Sequence, residues 1–314
     1  MANNLISILL NCCNGEKYLK ETLRSIKAQD YNNWELVFVD NNSTDKTKII
    51  FDKEKDKRFK YFFLKNKKKL GYARNYGISK CKGDYIAFID DDDLWKQNKL
   101  SKQIICFKNK KIDLVYTNVI KFSKKKKLSS LNNLKFFLKN KNQTKYLLKN
   151  YNITLSSVIL KKSIIKKYNY KFNKNFNYIE DFDFFIRISR RHKFKFLNEA
   201  LTKWRVHDQS LTHQNFYDLG NELLTFVSKI KNDSPLFYKK YFNEFNFTES
   251  KAHLRFAQYY YRKQNFEKIF YHLETYKFVN KNIFLLFIFC KLPKIVQKFL
   301  IGLFKIYQLD TKNI

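Results

Sequence analysis

Four consecutive carboxylates, Asp90, Asp91, Asp92 and Asp93, follow a short apolar run at residues 85–89. The apolar run predicts a buried strand, and the acids stand where that strand ends. Adjacent like charges repel each other, and a bound divalent cation removes the repulsion. Mg²⁺ and Mn²⁺ are held by one or two carboxylates together with the phosphate oxygens of a substrate. The sequence therefore predicts a site for Mn²⁺ or Mg²⁺ here, in preference to a solvated acidic turn.

The elements that must position these acids alternate between strand and helix patterns. Apolar runs predict strands at residues 5–10, 34–39, 59–64, 85–90 and 112–120, with helices between most of them. This alternation implies right-handed crossovers and an α/β fold with a doubly wound, mostly parallel, Rossmann-like sheet.

Two more polar segments end neighbouring predicted strands, residues 11–15 after the first and residues 40–45 after the second. In a doubly wound sheet, ligands bind outside the carboxyl ends of the strands. The two segments and the four aspartates are therefore expected to converge on one crevice. Such a crevice favours a nucleotide-sized ligand together with a metal.

Charge and composition narrow the function classes. The 314-residue chain is 44% hydrophobic, which excludes a disordered protein, and its formal net charge is +35. That charge suits nucleic acid, an anionic membrane surface or phosphorylated ligands. It does not choose among them, because Lys, Asn, Ile and Phe are enriched together, as an AT-rich coding bias would also produce.

Cysteine usage and hydropathy indicate a cytoplasmic protein. Five cysteines lack C-x-x-C spacing, so buried thiols in a reducing compartment are expected, and a zinc site is not: Cys12, Cys13, Cys81, Cys106 and Cys290. The N-terminus lacks the basic region of a signal peptide. No apolar stretch reaches the roughly 18 residues that span a bilayer.

The second half of the chain is more varied. Lysine-rich residues 123–149 predict a long variable loop or paired helices, with a solvated connection favoured, and residues 154–160 predict a strand. Residues 179–191 predict a helix, and residues 194–206 a hairpin. Residues 1–213 are expected to form one domain.

That domain should divide into a nucleotide-binding half at residues 1–122 and an acceptor half at residues 150–213. Residues 214–314 are expected to form a helical C-terminal region. Residues 283–290 are wholly apolar, and residues 295–307 carry lysines on one helical side and apolar side chains on the other. This pattern is typical of a helix on an anionic membrane surface, although a helix docked on its own domain remains an alternative.

Five motifs in this order and spacing resemble an inverting glycosyltransferase of family 2, with the GT-A fold, of bacterial surface-polysaccharide type. They are SILLNCCNG at 7–15, VDNNSTD at 39–45, GYARNYGI at 71–78, KGDYIAFIDDDD at 82–93, and Glu180-Asp181. The resemblance covers residues 5–210. It implies transfer of a sugar from a nucleotide diphosphate donor, expected to be a UDP-sugar, to a glycan or lipid-linked saccharide at the inner face of the cell membrane.

The resemblance also implies donor-binding roles. Asp40 corresponds to the carboxylate that binds the nucleotide base, and the backbone from Asn11 to Cys13 would line the same pocket. This first loop departs from the family's Pro-Thr-Tyr-Asn, so a stacking tyrosine is not assumed. The Asp-x-Asp motif makes Asp92 the best candidate metal ligand. Its neighbours Asp90 and Asp91 would contact the ribose, or the metal through water, and Asp90 is the second candidate metal ligand.

Of three basic residues with expected roles at the diphosphate, Arg74 and His207 have two interpretations each and Arg205 has one. Arg74 would reach the diphosphate, or pair with an acid of the scaffold. Arg205 and His207 match the family's Arg-x-His-x-x-Ser segment and would cover the diphosphate, although a lone histidine is also commonly structural. Asp93 is expected to act as a charge at the start of the following helix.

Asp181 is the catalytic base that the resemblance implies. Glu180 and Asp181 begin a predicted helix, where acids also complement the helix dipole. One base suffices for this chemistry, because a diphosphate leaves readily once a metal neutralises its charge. Only the acceptor hydroxyl must then lose a proton.

Two other function classes fit the sequence less well. A sugar-phosphate nucleotidyltransferase needs a glycine-rich loop after the first strand, and residues 11–15 contain only Gly15. A basic nucleic-acid-binding protein would place lysines among exposed aromatics. The four aspartates would repel a phosphate backbone unless a metal intervened, and nucleic acid is not expected as a partner.

Overall fold

The computed structural model describes residues 4–123, 142–207, 215–279 and 281–293. The chain divides into two compact units, residues 1–207 and 208–314. Every candidate site residue named above lies in the described part of the first unit.

Eight strands form one sheet in the described part of the first unit. Their bounds are β1 Ile6–Cys12, β2 Trp34–Asp40, β3 Phe59–Phe63, β4 Tyr85–Asp90, β5 Leu94–Trp95, β6 Ile112–Phe122, β7 Ile159–Lys161 and β8 Lys193–Arg205. The order across the sheet is β3-β2-β1-β4-β7-β6-β8-β5.

Seven helices accompany the sheet in the described part of this unit. Their bounds are α1 Leu19–Lys27, α2 Thr47–Lys53, α3 Leu70–Lys80, α4 Lys99–Ile104, α5 Gln143–Lys149, α6 Lys162–Tyr168 and α7 Glu180–Ser189. Short 3₁₀ turns follow α4 at Ile105–Lys108 and precede β7 at Leu155–Ser157.

The inner strands are apolar on both faces because helices cover both sides of the sheet. All seven residues of β2 are buried, and six of the seven residues of β1. Helix α1 packs the side chains of Leu19, Leu23 and Ile26 against the same core. The pairings of β3 with β2, β2 with β1 and β1 with β4 are all parallel. Among the remaining pairings, that of β6 with β8 is parallel and the other three are antiparallel. The predicted α/β sheet is confirmed.

Two local predictions were wrong. The hairpin expected at residues 194–206 is the single strand β8, which runs parallel to β6. Leu197 pairs with Thr117 and Ala200 with Asn118, so the two polar residues between them form a bulge and not a turn. The strand expected at residues 154–160 is a 3₁₀ turn followed by the short β7.

The described part of the second unit is helical, as predicted. Its helices are α8 Phe216–Asp233, α9 Pro235–Lys240, α10 Phe242–Arg262, α11 Phe266–Glu274 and α12 Lys281–Lys291. Helices α10, α11 and α12 share a core that includes Leu254, Ala257, Ile269 and Leu273. The amphipathic helix expected at residues 295–307, and most of the lysine-rich connection at 123–149, lie outside the described residues.

Candidate active site

Three strand ends meet at one edge of the sheet. Asn11 of β1 lies opposite Val39 of β2 and Asp90 of β4, and Cys12 lies opposite Asp40. Because these strands are parallel and adjacent, the polar segments that follow them share one side of the fold. The sheet register thus produces the convergence expected from the sequence.

The loops after β1 and β2 are joined by direct hydrogen bonds. The Asn14 amide donates to Ser43 Oγ at 2.9 Å, and the Gly15 amide donates to Thr47 Oγ1 at 2.9 Å. A Cβ atom at Gly15 would lie 2.4 Å from Cys12 Sγ and 2.8 Å from Asp91 Oδ2. Glycine is therefore favoured here, because a larger residue would require the side chains of Cys12 and Asp91 to move.

Asp40 is buried at the end of β2 and is already hydrogen-bonded. Its Oδ1 accepts from the Ser43 amide at 2.8 Å, and its Oδ2 accepts from Tyr61 Oη at 2.5 Å. Burial and the Asp40 charge raise the pKa of Tyr61, so the phenol stays a donor. Each carboxylate oxygen keeps a second lone pair for a ligand. The assignment of Asp40 to the nucleotide base stays a prediction.

Asn11 lies near the end of β1, and Cys13 lies just after that strand, beside Asp40. Both polar side-chain atoms of Asn11 are buried without a hydrogen-bond partner. Unsatisfied buried amides are costly, so a ligand that offers a donor and an acceptor would gain affinity there. Cys13 is half-buried, and burial raises the pKa of its thiol against the nearby Lys67 charge. The arrangement fits the predicted donor pocket but assigns no base contact.

The four aspartates have four different surroundings. Asp90 contacts Arg74, while Asp91 lies against Cys12 and the Cys13 amide. Asp92 Oδ2 lies 2.8 Å from His207 Nε2.

Asp93 does not begin a helix, which corrects the expectation from the sequence. It is fully buried, and its Oδ1 accepts from the Arg205 amide at 3.0 Å. The following helix, α4, begins only at Lys99. Asp93 therefore fixes the loop after β4 to the end of β8.

Burial and mutual repulsion raise the pKa values of carboxylates in the cluster. Partial burial raises the pKa of Asp90, whose side chain is 41% exposed, with Arg74 opposing and the charges of Asp92 and Asp181 adding to it. Burial and then the Asp92 charge raise the pKa of Asp91 to about 7. A cation beside these carboxylates would favour their ionised forms.

The carboxylate oxygens of the aspartate cluster suit a hard divalent cation that also binds phosphate. In the part of the chain that the structure describes, no three His, Cys, Asp or Glu side chains form a complete metal centre. Mg²⁺ and Mn²⁺ do not require one, because one or two carboxylates suffice when substrate phosphates complete the coordination. Asp92 and Asp90 are the residues that would hold such an ion.

Arg74 of α3 bridges two segments of the site. One of its guanidinium nitrogens donates to Glu180 Oε1, and another donates to Asp90 Oδ1 at 3.2 Å. Arg74 and Glu180 side chains are each only 5% exposed. Arg74 thus joins the end of β4 to the start of α7. Its assignment to the diphosphate stays a prediction, because in this structure both contacts are with the protein.

Asp181 lies next to Glu180 in the first turn of α7. Its Oδ1 accepts from the Phe182 amide at 2.7 Å, and its Oδ2 accepts from Tyr151 Oη at 3.0 Å. Burial raises the pKa of Asp181, while the Arg74 charge and the Tyr151 hydrogen bond oppose the increase. Since the Asp181 charge acts on Asp90, the candidate base and a candidate metal ligand belong to one electrostatic site.

Arg205 and His207 lie on the other side of the aspartates. Arg205 Nε donates to the Asp92 carbonyl at 2.8 Å, and its NH2 donates to Glu21 Oε2 at 2.9 Å. The guanidinium lies 4.4 Å from the Tyr18 ring centre, and the His207 ring lies 5.1 Å from the same ring. Both predicted residues therefore lie beside the predicted metal ligand.

Sequence reasoning missed five residues of this site or gave them no role: Tyr18, Glu21, Tyr61, Tyr151 and Glu180. Glu180 had a signal, since it belongs to the acidic pair that was singled out. The three tyrosines and Glu21 are ordinary residues of aromatic or polar segments. Their roles depend on contacts between residues far apart in the chain.

Solved structures with this architecture define the class of fold as GT-A. S. aureus TarS in complex with UDP-GlcNAc superposes with a TM-score of 0.62 at 16% identity, covering 87% of this chain and 91% of that chain. The mannosyltransferase PcManGT from Pyrobaculum calidifontis, in complex with GDP-Man and Mn2+, superposes with a TM-score of 0.58 at 14% identity. It covers 81% of this chain and 74% of that one.

The sequence then identifies the family. Residues 7–168 match the model of glycosyl transferase family 2, and the chain belongs to this family. It is a glycosyltransferase, and the resemblance inferred from its motifs is confirmed. In the described residues, no helix has the length and hydropathy needed to cross a membrane.

Named relatives include two enzymes of Escherichia coli, both called UDP-Glc:alpha-D-GlcNAc-diphosphoundecaprenol beta-1,3-glucosyltransferase. WfaP is 32% identical over 223 residues, covering 68% of this chain and 82% of WfaP. WfgD is 27% identical over 226 residues, covering 71% of this chain and 85% of WfgD. A glycosyltransferase of Haemophilus influenzae is 43% identical over 102 residues, which are 32% of this chain and 41% of that relative.

Proposed function

We propose that this glycosyltransferase moves a sugar, with inversion, from a nucleotide diphosphate donor to a glycan or lipid-linked saccharide in bacterial surface-polysaccharide synthesis. A UDP-sugar is the proposed donor, because WfaP and WfgD are named for UDP-Glc and TarS was solved with UDP-GlcNAc. The names of the two E. coli relatives also support a diphosphate-linked lipid as the acceptor class.

The observation that carries the proposal is the bridge from Asp90 through Arg74 to Glu180. It holds the start of α7, and with it Asp181, beside the aspartates at the end of β4. A proton acceptor and a candidate metal-binding carboxylate thus belong to one site. Inverting transfer needs this juxtaposition, because the acceptor hydroxyl must be deprotonated where the donor's anomeric carbon lies.

Different residues of the site have different roles in the proposed reaction. Asp40 and the Asn11–Cys13 loop bind the nucleoside, and Asp92 with Asp90 would hold Mn²⁺ or Mg²⁺. When bound, that ion neutralises the charge that develops on the leaving diphosphate. Asp181 accepts the proton of the acceptor hydroxyl, which attacks the anomeric carbon opposite the leaving group. Arg205 and His207 add positive charge and a hydrogen-bond donor beside Asp92.

Two aspartate variants test these roles separately. Asp92→Asn should remove the Mn²⁺ dependence of nucleotide diphosphate binding, measured by calorimetry. Asp181→Asn should leave donor affinity within about twofold and lower transfer at least about 100-fold. Asp30→Asn is the matched control, because Asp30 is an exposed acid that bonds only to Ser101 among its described side-chain contacts. Metal dependence unchanged in Asp92→Asn, or normal turnover in Asp181→Asn, would refute the corresponding role.

A screen of nucleotide sugars identifies the donor. Release of nucleoside diphosphate is measured with Mn²⁺, with Mg²⁺ and after chelation. Metal-dependent release from one UDP-sugar supports the proposal. Release of pyrophosphate from a nucleoside triphosphate and a sugar phosphate, without release of nucleoside diphosphate, would instead indicate a nucleotidyltransferase.

We further propose that the protein acts in the cytoplasm, bound peripherally to the anionic inner face of the membrane. Helix α12 exposes Phe284, Leu285 and Ile288, which are 40%, 63% and 44% accessible. Phe278, just before the helix, is 83% exposed, and the Lys277 ammonium lies 5.5 Å from its ring centre. Exposed apolar side chains next to lysines suit an anionic lipid surface.

Vesicle flotation tests this localisation. The full chain should float with vesicles containing phosphatidylglycerol and less with neutral phosphatidylcholine vesicles. Leu285→Glu should reduce flotation, whereas Ile49→Glu, an exposed apolar residue of α2 that is 53% accessible, should not. Equal flotation of all three proteins would refute a role for α12.

A further inference from the structure

Both oxygens of the Asp181 carboxylate accept hydrogen bonds, and one of the donors is a side chain from outside its own helix. The Phe182 amide donates to Oδ1 at 2.7 Å, as is common in the first turn of a helix. The second donor is Tyr151 Oη, at 3.0 Å from Oδ2. Tyr151 is 30 residues away in the chain and lies just after α5. This contact therefore depends on the tertiary structure and not on the local sequence.

Tyr151 is itself fixed on several sides. Its ring packs edge-on against Phe182, with ring centres 5.1 Å apart and planes at 87°. The segment that carries it leads into the 3₁₀ turn Leu155–Ser157. There, Ser156 Oγ accepts from the Asp90 amide at 3.0 Å. The segment that follows the tyrosine is therefore joined to the same strand end that carries the candidate metal ligands.

The direction of the hydrogen bond is fixed by the chemistry of its two groups. Burial and the Asp181 charge raise the pKa of Tyr151, so its phenol remains protonated. The phenol can then only donate to an ionised Asp181. The other charged groups around Asp181 are Arg74, which favours its ionised form, and Asp90, which disfavours it. Glu180 is neutralised by its ion pair with Arg74.

We propose that Tyr151 is a positioning residue for the base: its hydroxyl sets the rotation of the Asp181 carboxylate, so that a free lone pair faces the acceptor hydroxyl. This inference rests on the proposed role of Asp181. With one oxygen bound to a backbone amide and the other to a phenol, the carboxylate has one orientation. Without the phenol it can turn about its last bond, and the reactive geometry is populated less often.

The test is Tyr151→Phe in the full chain, because this change removes only the hydroxyl and keeps the ring against Phe182. We expect kcat for transfer to fall about 10- to 100-fold, in line with the loss of one charge-assisted hydrogen bond. Donor affinity, measured by calorimetry, and donor KM should stay within about twofold. Tyr31→Phe is the control, since that hydroxyl bonds to the Asn4 carbonyl, and its kinetics should not change.

The outcomes separate this inference from the proposed function. If Asp181→Asn is inactive and Tyr151→Phe has wild-type kcat, the positioning role is wrong and the base assignment stands. If Asp181→Asn keeps wild-type transfer, both are wrong. If Tyr151→Phe weakens donor binding as much as it lowers kcat, or lowers the melting temperature by much more than Tyr31→Phe does, the hydroxyl acts on the fold and the inference is overturned. A loss confined to kcat supports it.

Discussion

Arg74→Met tests whether the bridge between β4 and α7 holds the site together. Methionine keeps much of the length of the side chain but removes the charge and every donor. The change leaves Glu180, whose side chain is 5% exposed, as a buried carboxylate without its cation. Removing one partner of a buried ion pair costs about 3–5 kcal/mol. The contact to Asp90 adds at most about 1 kcal/mol, because that carboxylate is 41% exposed.

We therefore expect Arg74→Met to lower the free energy of unfolding by about 3–5 kcal/mol. Glu180→Gln should cost less, about 1–3 kcal/mol, because Arg74 keeps its contact to Asp90 and can still bond to the amide oxygen. The double variant Arg74→Met/Glu180→Gln should cost less than the sum of the two, since no uncompensated carboxylate remains at position 180. The difference is the coupling energy of the pair.

Urea denaturation followed by tryptophan fluorescence measures these values. All three tryptophans, Trp34, Trp95 and Trp204, belong to the unit at residues 1–207, so the signal reports on the unit that carries the bridge. Arg24→Met is the matched control. Arg24 is 61% exposed in its ion pair with Glu54, and its loss should cost less than about 1 kcal/mol.

Two results would refute the reasoning. One is that Arg74→Met lowers the free energy of unfolding by no more than Arg24→Met does. The other is strict additivity of the Arg74 and Glu180 variants, since independent residues show no coupling.

Two more predictions concern the loop and the base. Gly15→Ala should destabilise the protein by about 1–3 kcal/mol in urea, because its Cβ would overlap Cys12 Sγ and crowd Asp91 Oδ2; unchanged stability would contradict the close approach. The transfer rate should fall as pH drops through the raised pKa of Asp181, since a protonated carboxyl cannot accept the acceptor's proton, and stay level above it. A pH–rate profile for kcat that lacks this acidic limb would exclude Asp181 as the titrating base.

The sequence was sufficient for the central features of the fold and site. The parallel strands β1, β2 and β4 are apolar on both faces, so their runs are easily recognised. Since parallel strands end at one edge, the proximity of Asn11, Asp40 and Asp90 follows from the sequence. The start of α7 at Glu180 was also predictable from the acids in its first turn.

The parts that could not be predicted depend on long-range contacts. The polar residues 198 and 199 favour a turn locally, yet pairing of β8 with β6 keeps the strand continuous through a bulge. The two-residue strand β5 exists only because β8 lies beside it. Tyr151 carries no local signal at all, because only the packing of its segment against α7 brings it to Asp181.

The contact of Arg74 with both Asp90 and Glu180 has a geometric consequence. The separation between the end of β4 and the start of α7 is set by the span of one arginine side chain, since its two terminal nitrogens bind one acid on each side. A lysine offers a single ammonium and cannot reproduce this two-sided contact. In the proposed reaction, the span of this arginine therefore sets the distance between the proton acceptor on α7 and the aspartates that would hold the leaving diphosphate.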